Sequence, residues 1–194
     1  MKGSLAVVCL ALLVVVGIGV AQNTSADELQ KDQVFEAIMV SVRLDQPQAS
    51  GLARIILPSP RWFPLNRFAY VRVEAEGLVP GKSHNIHLHG TRTDTTGQVS
   101  SGCFAGGPVL VNLRGLVSDA SGKGVSSSRI VLDSNYVVYE DAVGRVTNNA
   151  VFNRASLTTW YVQYHVPAGE TGAGQPMACG EVTLGGFDRG TPFR

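Results

Sequence analysis

The chain has 194 residues, 44% of them hydrophobic and 16% charged, with a formal net charge of +1. That length supports one domain with its own core, and the composition is too apolar and too weakly charged for a mostly disordered chain. The near-neutral balance excludes an electrostatic nucleic-acid binder, which carries a basic excess on one face.

The first element is an apolar run, Leu5 to Ala21, behind the single basic Lys2. Gly19-Val20-Ala21 supplies the small-x-small pattern of a signal-peptidase site, so residues 1–21 read as a secretory signal peptide. An uncleaved anchor is the alternative, at the short edge of spanning length. Cleavage after Ala21 removes Lys2 and Cys9, which leaves a neutral chain with two cysteines, Cys103 and Cys179. An even pair in a secreted chain reads as one disulfide. The expectation is a secreted protein with no stable membrane association once the leader is gone. Residues 22–32 are polar and read as loose, and they hold a glycosylation sequon at Asn23.

Short strands broken by turns follow, in one domain over residues 33–184. In Phe68 to Glu76, Ala69, Val71, Val73 and Ala75 occupy one face, and Tyr70, Arg72, Glu74 and Glu76 the other. That is the alternation of a half-buried strand. Val34 to Leu44, Ala53 to Leu57, Ser126 to Leu132, Thr158 to His165 and Gly180 to Leu184 behave similarly. Pro80-Gly81, Gly106-Gly107-Pro108 and Ser121-Gly122-Lys123-Gly124 mark turns. Pro58 to Pro64 reads as a packed loop covering one end of the domain, with a partner-binding patch as the alternative. Gly185 to Arg194 reads as a C-terminal tail. No stretch carries a helical period with caps, and no repeat or linker divides the chain. The predicted fold class is all-β, an antiparallel sandwich or barrel.

Three histidines lie within six residues, in Ser83-His84-Asn85-Ile86-His87-Leu88-His89. Strand residues two apart point to the same face, so His87 and His89 share one face while Ile86 and Leu88 take the other. With about 7 Å between their Cα atoms, two imidazoles on one pleat can converge on a metal ion. A solvated pair of surface histidines is the alternative for a lone pair of this kind. His165 ends another strand-like run and offers a third imidazole. Imidazole suits copper and zinc, and three histidines with an open position describe a reactive metal site. His84 falls on the parity of Ile86 and Leu88, which gives it a structural role against a backbone carbonyl. No phosphate-binding glycine loop and no serine-nucleophile arrangement is present.

Gly77-Leu78-Val79-Pro80-Gly81-Lys82-Ser83-His84-Asn85-Ile86-His87-Leu88-His89 resembles the copper-binding strand of copper/zinc superoxide dismutases. Cys103 to Pro108 is similar to that family's first disulfide cysteine and the loop after it. Gly115 to Gly124 is similar to its glycine-rich turn, and Ala178-Cys179-Gly180-Glu181-Val182 to its closing segment. The pieces fall in family order. The resemblance implies an eight-stranded Greek-key β-sandwich or flattened barrel, a Cys103–Cys179 bridge, and copper held by His87, His89 and His165 as the catalytic site. It also makes His84 structural.

The departures from the family are informative. The family's bridging histidine, after Gly-Pro, is replaced by Val109. Leu110 to Arg114 contains none of the residue types that supply the other zinc ligands, so zinc is not expected. The stretch from His165 to Cys179 is too short for the long charged guiding loop, and the guiding arginine is replaced by Pro176. The chain thus resembles the copper-only branch of the family. Two functions are implied. One is an antioxidant dismutase, with superoxide as its substrate and reduced activity. The other is a non-catalytic copper-binding or structural module on the same scaffold.

Overall fold

The computed structural model describes residues 32–43, 49–59, 67–93, 95–100, 102–104, 106–146 and 150–187. The expected signal peptide, nearly all of the loose segment after it, most of the Pro58 to Pro64 insert and the last seven residues of the expected tail lie outside the described residues.

Alternation of apolar and polar residues builds the first three strands: β1 (Gln33–Ser41), β2 (Ser50–Leu57) and β3 (Phe68–Glu76). Phe35, Ala37 and Met39 of β1, Ala53 and Ile55 of β2, and Ala69, Val71 and Val73 of β3 all point inward and are buried. Pairing is antiparallel in a register that keeps this face continuous, with Ala37 opposite Ala53 and Ala53 opposite Val73. A one-residue slip would turn the whole set outward, so burial itself fixes the register. The chain then forms β4 (Ser83–His84), β5 (Ile86–His89), and the small pair β6 (Arg92–Thr93) and β7 (Val99–Ser100). Next come β8 (Val109–Asn112), β9 (Leu116–Val117), β10 (Gly124–Leu132) and β11 (Val138–Glu140). A one-turn helix, α1 (Arg154–Leu157), precedes β12 (Tyr161–His165), β13 (Pro176–Glu181) and β14 (Thr183–Phe187).

The main sheet has the order β11-β10-β3-β2-β1-β13-β12-β5-β8, with β14 also on β1. It is antiparallel, strongly curled and nearly closed into a barrel. The connections β3 to β5 and β8 to β10 jump between distant positions in this order, which is the Greek-key feature. The strands number ten because β13 and β14 share the place beside β1 and because β11 adds a short edge. β4 pairs separately with β9.

The two end strands are stitched by one carboxylate. Asp141, just after β11, accepts from Asn112 Nδ2 at 2.7 Å and from the Asn112 N–H at 3.3 Å. The Ala142 N–H donates to the Asn112 carbonyl at 3.1 Å. Asp141 is buried, and the N–H groups of Val143 and Arg145 complete its shell at 3.1 and 2.9 Å. A buried carboxylate is costly unless hydrogen-bonded, and four donors offset that cost.

Local chemistry shifts three boundaries from their sequence expectations. Thr158 to Trp160 form a turn rather than strand, because the Thr158 and Thr159 hydroxyls donate back to the carbonyls of Arg154 and Ser156. Gly180 to Leu184 is split at Val182, whose N–H donates to the Trp160 carbonyl. The domain also extends past the expected boundary at 184. Gly186 and Phe187 stand opposite Val34 and Gln33, in a pairing made by backbone groups that requires no side chains. Among the described residues, no helix is long and apolar enough to cross a membrane.

Candidate metal centre

The pleat of β5 decides which face carries chemistry. Ile86 and Leu88 are fully buried in the core, so His87 and His89 stand on the outer face. Their cross-strand neighbours share it: Asn112 and Gln163 beside His87, Val109 and Tyr161 beside His89. β12 contributes His165 two residues beyond Gln163, after a bulge between Tyr164 and His165. Its N–H donates to the Asn85 carbonyl at 3.0 Å, which holds the strand end against the start of β5.

The structure brings His87, His89 and His165 together. Each offers one ring nitrogen, and these atoms all lie within 4.8 Å of one another. His87 Nδ1 is 3.1 Å from His165 Nε2. Ring centroids are 4.8 Å apart for His87 and His165, 5.7 Å for His87 and His89, and 6.1 Å for His89 and His165.

Backbone carbonyls aim two of the rings. His89 Nδ1 donates to the Gly107 carbonyl and His165 Nδ1 to the Gly174 carbonyl, each at 3.0 Å. A carbonyl can only accept, so both rings carry their proton on Nδ1 and turn the Nε2 lone pair to the site. Gly174 delivers its carbonyl from a turn at φ +79°, a conformation that favours glycine. Gly107 lies so close to the chain that a Cβ there would collide with the Gly90 carbonyl oxygen.

These donors suit a metal ion. His89 Nε2 is buried and has no hydrogen-bond partner, an expensive arrangement unless something takes its lone pair. At metal–nitrogen distances of about 2 Å, adjacent donors stand about 3 Å apart and opposed ones about 4 Å. Small ring rotations therefore close the observed spacing. The set is all nitrogen and neutral, and it leaves the remaining coordination positions open.

Burial pushes the His87 pKa down to about 4, helped by the positive charge that His165, His89 and Arg145 would place beside it and opposed by Asp141. Burial also lowers His89 and His165, each opposed by its carbonyl hydrogen bond. Burial thus favours the neutral form of all three rings, the form that keeps a lone pair for a metal. The sign for stability follows from the unfolded chain, whose histidines titrate near 6.5. Below that pH the unfolded state takes up protons that the folded state refuses. The metal-free protein is therefore expected to lose stability as pH falls from 6.5 towards 4. Thermal melting across that range should show a falling midpoint, and His87→Leu should flatten the slope.

The other expected residues are placed as follows. His84 is fully buried, and its Nδ1 donates to the backbone carbonyl of His165 at 3.0 Å. It stands edge-on to Tyr164, with ring centroids 6.4 Å apart. Cys103 and Cys179 form a disulfide. Cys179 stands opposite Gln163, which stands opposite His87, so the bridge lands two strands from His87 and on the strand next to the one that carries His165. Cys103 anchors the loop that presents Gly107. The disulfide is compatible with an extracellular protein. Val109 faces His89 on the same side of the sheet, is 46% exposed, and offers no donor atom. Leu110 to Asn112 belong to strand β8. Pro176 opens β13 opposite His165, at a strand-start position that tolerates a missing N–H.

Sequence reasoning missed Tyr161, Gly107, Gly174 and the Asn112–Asp141–Arg145 group. Parity alone could have found Tyr161, which shares a face with His165. The carbonyl acceptors and the Asp141 seam come from residues distant in the chain and leave no local signal.

No known family model matches the sequence, and no curated protein matches it.

Proposed function

We propose that this chain is a secreted copper protein that disproportionates superoxide to oxygen and hydrogen peroxide. The observation that carries the proposal is the His87, His89 and His165 cluster, with its ring nitrogens within 4.8 Å of one another and two rings aimed by backbone carbonyls. An all-imidazole set suits copper. The residues around it resemble the copper-binding strand of superoxide dismutases. The secreted part rests on the apolar run Leu5 to Ala21 and on the Cys103–Cys179 bridge. Bound copper would supply a one-electron couple, through which one superoxide loses an electron and a second, with two protons, gains it. The chain's own residues hold and orient the ion. Arg145 lends positive charge close enough to depress His87, against the opposing charge of Asp141. Val109 supplies neither a ligand nor a proton there, so the protons come from water.

The exposed valine at that position also favours a second reading, a copper-binding module without turnover. Copper loading followed by a superoxide assay separates the two. We expect copper-loaded protein to remove superoxide faster than metal-free protein. Val109→His should bind copper more tightly and react faster still, because its imidazole would stand beside His89. Copper bound without any gain in superoxide decay would leave only the binding module.

A further inference from the structure

Tyr161 sits on the site face, opposite His89, and is 1% exposed. Its ring lies flat against the His89 imidazole, with centroids 4.9 Å apart and planes inclined by 12°. Its hydroxyl accepts the Gly107 N–H at 2.9 Å. The Gly107 carbonyl in turn accepts from His89 Nδ1. The contacts close a ring: tyrosine face on imidazole, imidazole N–H to carbonyl, and the N–H of the same residue back to the tyrosine hydroxyl. Gly107 is held through both of its polar groups. It also lacks space to shift, because the Gly90 N–H donates to the Pro108 carbonyl at 3.1 Å and the Gly90 carbonyl blocks the other side.

A ligand imidazole held by one hydrogen bond can still tilt about it. Stacking removes that tilt, and the hydroxyl fixes the carbonyl that selects the tautomer. Such outer partners usually set ring orientation and donor strength at metal sites.

We propose that Tyr161 is a positioning residue for the metal centre: through Gly107 and by stacking, it holds His89 with its proton on Nδ1 and Nε2 aimed at His87 and His165. The inference rests on the reading of His89 as a ligand.

The test compares wild type with Tyr161→Phe, which keeps the stacking and loses the hydroxyl, and Tyr161→Leu, which loses both. In metal-free protein, nitrogen NMR of the His89 ring should show one tautomer, protonated at Nδ1, in wild type. It should show mixed tautomers in Tyr161→Phe, and more strongly in Tyr161→Leu. With Cu(II) as probe, affinity should fall about 10-fold in Tyr161→Phe and towards 100-fold in Tyr161→Leu, the range usual for outer-shell partners. The copper hyperfine pattern should change with it. An unchanged tautomer in both variants, with only the melting temperature lowered, would overturn the proposal and leave Tyr161 a packing residue. If Tyr161→Leu does not fold, Tyr161→Phe decides. If wild type binds no copper, the reading of the site fails, and the tautomer measurement still decides the role of Tyr161.

Discussion

His165→Ala is expected to abolish tight metal binding while leaving the fold in place. The ring is partly exposed, and apart from its hydrogen bond to the Gly174 carbonyl the contacts that hold this strand end are made by the backbone. Its N–H donates to the Asn85 carbonyl, and its own carbonyl accepts from His84. Removing the ring spares both. It deletes the donor that lies 3.1 Å from His87 Nδ1 and leaves two imidazoles on one pleat. Affinity should fall by more than about 100-fold, beyond the loss usual for outer-shell partners. The melting of the metal-free variant should stay close to wild type, as for most substitutions away from the core. A chelator-competition titration beside a melting curve checks both halves. Retained affinity would remove His165 from the ligand set.

Loss of the disulfide is the other large expected effect. Cys103 and Cys179 are 76 residues apart in sequence, and cross-linking a loop of that size removes about 4 kcal/mol of chain entropy from the unfolded state. Total stabilities are about 5–15 kcal/mol, so the bridge accounts for a large share. Denaturant unfolding of Cys103→Ser/Cys179→Ser should show an unfolding free energy lower by that order, read as an earlier midpoint. The effect also reaches the metal centre. Cys103 anchors the loop that presents the Gly107 carbonyl to His89, so the double variant should bind copper more weakly even under conditions where it remains folded. An unchanged affinity would show that Gly107 is held without the bridge.

The face carrying the histidines was legible from residue order alone, because a period of two leaves only two choices and Ile86 and Leu88 settle which side is core. His84 obeys the same parity and is buried, although Asn85 breaks the strand between them. The broad class followed from repeated short alternations. What stayed hidden depends on partners far away in the chain. β14 runs through Gly185 and Gly186, which read as tail because they carry no side-chain pattern, yet Gly186 pairs with Val34 of β1 and Gly185 falls at the bulge beside it. Thr158 and Thr159 look like strand residues until their hydroxyls find carbonyls one turn back. Asp141 gave no local hint that it would join the two ends of the sheet, since its partner Asn112 lies 29 positions away. Tyr161 reads as one more aromatic on a strand, and its importance comes from contacts with His89 and Gly107.

The most direct test of the central claim is the electron paramagnetic resonance spectrum of the protein with one equivalent of Cu(II) at neutral pH. If His87, His89 and His165 hold a single ion, all the copper should give one signal with superhyperfine coupling from three imidazole nitrogens. That coupling should drop to two nitrogens, or the signal should disperse, in His165→Ala. A signal matching free or weakly chelated copper, or a spectrum unaltered by that substitution, would contradict the account.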